Sequence, residues 1–260
     1  MFSVATYNLL ASAYIERAWY PRSSALLLDP SWRVPALVQH VARLGADLFC
    51  LQEVEPVTFA ALRATLGERG YNGQFARKLA QRPDGVAIFY RREVFELLNC
   101  RVAAYADGLP PTGYVALIAL LRSAGGVLGV INTHLMWDAP GTAPAAQIGL
   151  RQARQLVSEY KSCAADGQGW IIAGDFNVTP ESEIVALMAG AGFPFAHCGL
   201  AGIGTCNVGA KARLIDYLFH SKDLTAEPLP PTAIDERTIL PSAEEPSDHL
   251  ALLAKFEWRR

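Results

Sequence analysis

Residues 170–182 (WIIAGDFNVTPES) restrict the fold of this chain more than any other stretch of its sequence. The run WIIA is short, apolar and rich in β-branched residues, which predicts a buried strand, and Gly174 allows a sharp turn at its end. Asp175 and Asn177 follow at the mouth of this strand. A carboxylate and a carboxamide at that spacing can reach one small volume at a sheet edge, as chemistry with a metal ion and a water requires. Both residue types are also common turn formers.

The same pattern, a polar residue directly after an apolar strand, recurs in the first half of the chain. Residues 2–10 (FSVATYNLL) are predicted to form the first core strand, which delivers Asn8, and residues 47–52 (DLFCLQ) a second one, which ends at Glu53. The run INTHLMWD places His134 just past another strand. Each residue also has an ordinary structural explanation. Asn8 could be a buried amide with hydrogen-bond partners, Glu53 an acid in the first turn of the next helix, and His134 a structural histidine.

The pattern continues toward the C-terminus. Residues 213–220 (RLIDYLFH) predict a strand with Asp216 in its middle, and Asp248 and His249 directly precede a final strand over residues 250–258. A polar residue therefore lies at or near the end of an apolar strand at six separate places in the chain. Coincidence is a poor explanation for so many repeats of one pattern.

The remaining elements are predicted from periodicity and turn residues. Residues 84–91, 100–105, 114–122 and 127–133 read as strands without long helices between them, which favours antiparallel pairing. Helices are predicted after a Ser31 cap to Leu44, over residues 55–69 and 142–165, and after a Thr179 N-cap with Pro180 at the helix start. Residues 190–211 form a glycine-rich connection, and residues 228–246 a proline-rich surface loop.

Composition limits the class of protein. The chain has 260 residues, of which 51% are hydrophobic, and no linker or repeat divides it, so we predict one domain over residues 1–260. A net charge of −2 excludes a global basic field that would bind a long nucleic-acid backbone. It allows the end of a nucleic-acid strand or a small phosphorylated molecule as substrate. Five cysteines without a Cys-x-x-Cys pair argue against a disulfide framework or zinc knot. Because no apolar run reaches membrane-spanning length, we predict a cytoplasmic protein with no membrane contact.

The ordered motifs TYN, LQE, NTH, GDFN, IDY and SDH resemble those of the endonuclease/exonuclease/phosphatase superfamily, over residues 3 to 257. The longer matches TYNLLASAY, LQEVE, DGVAIFY, THLMWD, GDFNVTPES and IDYLFHS are similar to the branch of carbon-catabolite-repression deadenylases, nocturnin and Angel proteins. The resemblance implies the deoxyribonuclease-I-like fold, a four-layer α/β sandwich in which two mainly antiparallel sheets pack face to face with helices outside. It also implies a Mg²⁺-dependent phosphoesterase.

Carried over residue by residue, the resemblance implies a metal site. Glu53 is its principal Mg²⁺ ligand, supported by Asn8, and Asp248 binds or orients a metal at the same end. Hard oxygen ligands suit Mg²⁺, with Mn²⁺ as the alternative ion. One metal and a two-metal clamp both agree with in-line displacement.

The resemblance also implies a catalytic set. Asp175 orients and deprotonates the attacking water, and Asn177 holds a phosphate oxygen or the nucleophile. His249 contacts the phosphoryl oxygens while Asp216 fixes its tautomer. His134 hydrogen-bonds the scissile phosphate.

The chain departs from the branch shortly before the IDY motif, where deadenylases usually carry aromatic residues. Residues 205–214 (TCNVGAKARL) contain none. Base stacking contributes about 1–3 kcal/mol per base, so we expect a weaker adenine preference. Lys211 and Arg213 are candidates for phosphate contact or are simply solvated.

Trp137 and Asp138 match the branch's THxxWD pattern. The alternatives are that they contact substrate, with Trp137 as a substrate-binding residue, or that they brace His134. Bracing is the reading we favour.

Three functions are compared. The first is a phosphodiesterase acting on RNA or short oligonucleotides at the 3′ end. The second is a phosphatase on a nucleotide such as NADP(H), a 2′,3′-cyclic RNA end, or a sugar or lipid phosphate. A non-catalytic binding module is disfavoured because it has no need of so costly a polar cluster. No obligate protein partner is indicated.

Overall fold

The computed structural model describes residues 1–164, 168–200, 202–209 and 211–259. The strands are β1 (Phe2–Asn8), β2 (Leu48–Val54), β3 (Tyr71–Arg77), β4 (Gly85–Arg91), β5 (Glu96–Ala104), β6 (Val115–Ser123), β7 (Gly126–His134), β8 (Gly169–Asp175), β9 (Cys206–Asn207), β10 (Ala212–Arg213), β11 (Asp216–His220), β12 (Leu224–Leu229) and β13 (Leu252–Trp258). The α-helices are α1 (Ala25–Leu28), α2 (Pro30–Leu44), α3 (Pro56–Glu68), α4 (Ile148–Cys163) and α5 (Glu183–Gly190), with short 3₁₀-helices at Ser12–Tyr14 and Arg17–Trp19.

Two large sheets pack face to face. The six-stranded sheet has the order β12-β13-β1-β2-β4-β3, and the five-stranded sheet the order β11-β8-β7-β6-β5. Pairing is antiparallel except between β1 and β2 and between β7 and β8. The four-layer α/β sandwich with mainly antiparallel sheets is therefore confirmed.

Apolar side chains form the three interfaces between these layers. One core lies between the sheets and includes Val4, Leu48, Ile88, Leu117, Val130 and Ile171. A second lies under α4 and α5, and a third under α2 and α3, so the helices cover the outer faces. No helix in the described ranges is long and apolar enough to cross a membrane.

The two parallel pairs bring four strand ends to one edge of the sandwich. Asn8 of β1 pairs with Gln52 of β2, and His134 of β7 pairs with Asp175 of β8. Since β1 also contacts β8 across the sheet interface, the carboxyl ends of both pairs open at the same place. The side-chain amide of Asn8 reaches the Asp175 carboxylate at 2.9 Å.

Two predicted helix caps were wrong. Asp29, and not Ser31, caps α2: its carboxylate accepts from the backbone N–H of Ser31 at 2.8 Å. Ser182, and not Thr179, caps α5 because its hydroxyl accepts from the N–H of Val185. Both caps lie where the chain leaves its extended conformation, which local spacing does not reveal.

Two predicted boundaries also differ from the structure, and two strands were missed. Asp216 is the first residue of β11 and not its middle, and α4 begins at Ile148 and not near residue 142. The predicted end of that helix at residue 165 lies outside the described residues. Strands β3 and β12 were not predicted, since these edge strands combine exposed polar positions with few apolar ones.

Candidate active site

Asp175 lies at the centre of the polar cluster, at the end of β8. The preceding Gly174 has a φ of 151°, and a Cβ there would lie 1.9 Å from the carbonyl oxygen of Thr133, so only glycine allows this close pairing with β7. Both Asp175 oxygens accept hydrogen bonds: Oδ2 from Asn8 Nδ2 at 2.9 Å and Oδ1 from the backbone N–H of Asn177 at 2.8 Å. The carboxylate is therefore fixed in one orientation.

Two histidines converge on the same carboxylate. The Nε2 atoms of His134 and His249 each lie 3.7 Å from Asp175 Oδ2. The other ring nitrogen of His249, Nδ1, lies 2.9 Å from Asp216 Oδ2. Asp216 reaches this position because it pairs directly with Asp175 in the β8–β11 ladder. The strand ends thus bring together all the predicted catalytic residues around Asp175.

Glu53 lies beside this group at an irregularity in the β2–β4 ladder, between Leu51 and Val54. Its φ of 53° is in the left-handed region, as is that of Asn177 at 55°. Such a conformation costs a non-glycine residue about 1–3 kcal/mol and is most often retained at functional sites. The Glu53 carboxylate accepts from Asn8 Nδ2 at 3.1 Å and from the backbone N–H of Ala11 at 2.8 Å.

Asn8 therefore connects the two carboxylates by donating to both. Its Oδ1 accepts from the backbone N–H of Leu10 at 2.9 Å, which orients the amide. In this arrangement Asn8 positions Glu53 and Asp175, and its role as a metal ligand stays a prediction.

Residues 205–207, at and beside strand β9, hold the C-terminal part of the cluster in place. Thr205 Oγ1 accepts from the backbone N–H of Asp216 at 3.3 Å. The backbone of Cys206 pairs with that of His249 in an isolated antiparallel β-bridge. Asn207 donates its backbone N–H to the carbonyl of Asp248 at 3.1 Å. The sequence-based reading treated this stretch as a connection of uncertain structure. Its only signal was its position directly before the IDY motif.

Asp248 is buried and faces the N-terminal loop. Tyr20 donates its hydroxyl to Asp248 Oδ2 at 2.8 Å, and the Ser247 hydroxyl donates to the carbonyl of Asn8 at 2.7 Å. The two ends of the chain are thereby joined at the site.

Charge crowding shifts the pKa values of these groups. Burial, followed by the Asp216 carboxylate, raises the pKa of Asp175, and burial together with the Asp248 carboxylate raises the pKa of Glu53 against the opposing charge of Lys78. Burial disfavours a charge on His249, but the neighbouring Asp216 carboxylate outweighs it and raises the pKa of His249 well above its usual value. Ionising Asp175 and Glu53 is therefore unfavourable in the absence of a cation. A bound cation would favour the ionised form of both carboxyl groups.

Two groups of side chains among the described residues place metal-ligating atoms within 4.8 Å of one another: Asp175, Asp216 and His249, and Cys206, Asp248 and His249. Asp216 Oδ1 is buried and has no hydrogen-bond partner in the described part of the chain. Glu53 belongs to neither group but borders the same cavity. A donor set rich in carboxylate oxygens fits a hard divalent cation.

The site opens into a cavity of about 920 Å³. Trp137 lines it with 53% of its surface exposed, and Trp19, which the sequence-based reading did not select, lines it with 52% exposed. Arg213 also borders the cavity, whereas Lys211 is exposed and does not line it.

Asp138 acts on a helix. Its carboxylate accepts from the backbone N–H groups of Ile148 and Gly149, both at 2.8 Å, at the start of α4. The Asp138 carboxylate therefore supports the start of α4, and neither of these hydrogen bonds is to His134, which it was expected to brace. Trp137 faces the cavity.

Known proteins share this architecture. The model of the Endonuclease/Exonuclease/phosphatase family matches residues 5–249. "Carbon catabolite repressor protein 4 homolog 4" of Arabidopsis thaliana is 27% identical over 330 aligned residues, covering 100% of this chain and 78% of that protein. "CCR4-Not complex 3'-5'-exoribonuclease subunit Ccr4" of Candida albicans is 25% identical, covering 100% of this chain but 41% of that protein. A crystal structure of ANGEL2, described as a 2′,3′-cyclic phosphatase in complex with adenosine-2′,3′-vanadate, has a TM-score of 0.84 at 24% identity and covers 98% of this chain and 95% of that one.

A two-sheet sandwich with acidic, amide and imidazole groups at its strand ends defines a metal-dependent phosphoesterase. The chain belongs to the endonuclease/exonuclease/phosphatase family, and its relatives place it in the branch that the motifs predicted. It spans most of the Arabidopsis relative but less than half of the Candida protein.

Proposed function

We propose that the protein is a Mg²⁺-dependent phosphodiesterase that hydrolyses RNA or short oligonucleotides from the 3′ end. The observation that carries this proposal is the convergence of two imidazole Nε2 atoms on the Asp175 carboxylate, each at 3.7 Å, beside the cavity that Glu53 lines. The exoribonuclease named among the relatives supports the substrate class.

Asp175 positions the attacking water and accepts its proton. Both of its oxygens are held by Asn8 and by the backbone of Asn177, so it does not reorient during the reaction. Its raised pKa suits a general base that works near neutral pH. Glu53, with Asn8 and Asp248, would hold Mg²⁺, which when bound stabilises negative charge on the phosphoryl oxygens and makes a bound water more acidic.

His249 stabilises the phosphoryl group as its charge increases. Its Nδ1–H donates to Asp216 at 2.9 Å, which leaves Nε2–H directed toward the site, and its raised pKa keeps the ring cationic. His134 and Asn177 supply further N–H donors at the same place. Fixed donors directed at developing negative charge are usually the largest contribution to such catalysis.

The cavity suits one or a few nucleotides. Among the described residues three arginines line it, Arg22, Arg82 and Arg213, and the chain carries a net charge of −2. The binding surface for a long phosphate backbone is therefore small. Trp19 and Trp137 offer half-exposed aromatic faces on which a base of any kind can stack.

A phosphatase on a 2′,3′-cyclic RNA end or a small nucleotide such as NADP(H) is the second candidate. The sparse cationic lining of the cavity favours it, and so does the likeness to ANGEL2, which is described as a 2′,3′-cyclic phosphatase. The same residues would act on that phosphate.

Mass spectrometry of the products from a mixed substrate pool tests both candidates. The pool contains 3′-hydroxyl RNAs, a 2′,3′-cyclic-phosphate RNA and NADP(H), with Mg²⁺, with Mn²⁺ or with chelator. Metal-dependent ladders of nucleoside monophosphates support the exonuclease, whereas intact chains that change only at a terminal phosphate support the phosphatase. Glu53→Gln should abolish either reaction while Glu68→Gln, at an exposed position on α3, should not, and RNA cleavage that survives Glu53→Gln contradicts the site.

A further inference from the structure

A buried lysine lies behind the candidate active site. Lys78 follows β3, Asp84 precedes β4, and both side chains are fully buried, with Nζ 2.7 Å from Asp84 Oδ2. The pair is fixed on several sides: the Tyr14 hydroxyl donates to Asp84 Oδ1 at 2.7 Å, and Nζ lies 4.2 Å from the centre of the Tyr114 ring. Because a buried ion pair is by itself a weak source of stability, its precise construction suggests a further role.

The third contact of Lys78 is with a histidine of the site. Its Nζ lies 3.3 Å from Nδ1 of His134. An ammonium group has only donors, so Nδ1 must be the acceptor in this contact. A neutral imidazole carries a single N–H, and the proton is then on Nε2. Burial first, and then the positive charge of Lys78, lower the pKa of His134 well below its usual value, which keeps the ring neutral.

The Nε2–H group of this tautomer has a second donor beside it. Asn177 Nδ2 lies 3.1 Å from His134 Nε2 and also donates to the carbonyl of Leu135 at 2.9 Å. Lys78 and Asn177 therefore approach the two ring nitrogens of His134 as donors, and a neutral ring can accept only one of them. The charged, buried lysine is the stronger donor, which leaves two N–H groups side by side at the cavity.

We propose that Lys78 is a positioning residue: it fixes His134 as the Nε2–H tautomer, so that His134 and Asn177 together form a pair of donors for one oxygen of a phosphate. An anionic oxygen that accepts from both groups relieves their mutual repulsion. The identity of that oxygen as part of the scissile phosphate depends on the proposed function, but the tautomer does not.

Nitrogen-15 NMR of protein labelled at histidine and asparagine measures the tautomer directly, with His134→Gln to assign the histidine signal. In the metal-free wild type we expect a protonated Nε2 and a bare Nδ1, and addition of inorganic phosphate should shift both the Nε2 signal and the side-chain amide signal of Asn177. A wild-type ring protonated at Nδ1 would overturn the proposal, whatever the enzymatic activity proves to be.

The double variant Lys78→Met with Asp84→Asn removes both charges at once and so avoids an unpaired buried ion. We expect His134 to lose its single tautomer, and kcat on bis(p-nitrophenyl) phosphate to fall on the order of 100-fold with little change in KM. The matched control is Arg122→Met with Glu96→Gln. It removes an exposed ion pair between β6 and β5, in which Arg122 Nη1 lies 2.8 Å from Glu96 Oε2, and should change neither readout.

An unchanged tautomer in the Lys78 and Asp84 double variant contradicts the proposal, as does a change in stability alone. If that variant does not fold, Lys78→Arg provides the second test. It retains the charge and a donor and should keep the Nε2–H tautomer, so loss of that tautomer in Lys78→Arg would also count against the proposal.

Discussion

At the scale of single residues, the pKa values of the two histidines in the candidate site are shifted in opposite directions. The Asp216 carboxylate raises the pKa of His249, whereas burial and the Lys78 ammonium lower the pKa of His134. Both rings lie 3.7 Å from the same Asp175 oxygen. The difference between them therefore comes from the group behind each ring, and not from exposure to water.

Replacing Asp216 with Asn should lower activity more strongly as the pH rises. The His249 ring is charged below its raised pKa and loses its charge above it. Without the Asp216 carboxylate, burial lowers the pKa of His249, so the ring loses its charge at a lower pH. We expect kcat to fall on the order of 100-fold at pH 8 and by less at pH 5.5. Rate profiles on bis(p-nitrophenyl) phosphate measure this.

Asp47→Asn is the control for this prediction, because Asp47 lies at the opposite ends of the strands, bonded to Ser3 and Arg91. A variant-to-wild-type ratio that stays constant with pH would contradict the link between Asp216 and the charge of His249.

At the scale of elements, the cavity depends on loops that carry little periodic signal. The 3₁₀-helix Arg17–Trp19 is followed by Tyr20, whose hydroxyl donates to Asp248. This contact holds the exposed ring of Trp19 beside the candidate active site. We therefore expect Trp19, from a loop near the N-terminus, to take the place of the aromatic residues that are absent before the IDY motif.

Removing the Trp19 ring should weaken nucleotide binding. Trp19→Ala is expected to raise KM for a dinucleotide about 10-fold or more through loss of base stacking, and to leave KM unchanged for the same substrate with an abasic 3′ terminus. Trp19→Phe, which keeps a ring, should stay close to the wild type. Equal losses on both substrates would show that Trp19 supports the loop and does not contact the base.

Asp138 should matter for stability and not for chemistry. Because its carboxylate accepts from two backbone N–H groups at the start of α4, Asp138→Ala should lower the free energy of unfolding by about 1 kcal/mol. Thermal unfolding measures the loss, and Asp138→Asn, which retains one acceptor, should lose less. A raised KM without a change in Tm would place Asp138 at the substrate.

At the scale of the whole molecule, the site joins the two sheets and both ends of the chain. Raised pKa values for Glu53 and Asp175 mean that the metal-free fold is most stable with these groups protonated and loses stability as the pH rises through their pKa values. A bound cation reverses this loss, because it favours the ionised carboxylates.

Magnesium should therefore stabilise the protein more at pH 8 than at pH 5.5. A ligand present at 100 times its Kd adds about 2.7 kcal/mol to the folded state, and protons compete for the same oxygens at low pH. Differential scanning fluorimetry with Mg²⁺ and with chelator gives the increase in Tm at each pH. Glu53→Gln should lose most of it, and an equal increase at both pH values would contradict the linkage.

The sequence by itself determined the fold class, the family and the set of strand-end residues. Each of these follows from short motifs that occur along the chain in the same order as in the family. Apolar strands that end in Asn8, Glu53 or Asp175 are local patterns. The prediction of one domain and the individual residue roles stay predictions.

The tertiary structure alone decided how these residues are held. Lys78 and His134 are 56 residues apart in the chain, and Tyr20 and Asp248 are 228 apart. No local pattern relates such pairs, and their polar groups interact only because packing excludes water and brings the atoms within hydrogen-bonding distance.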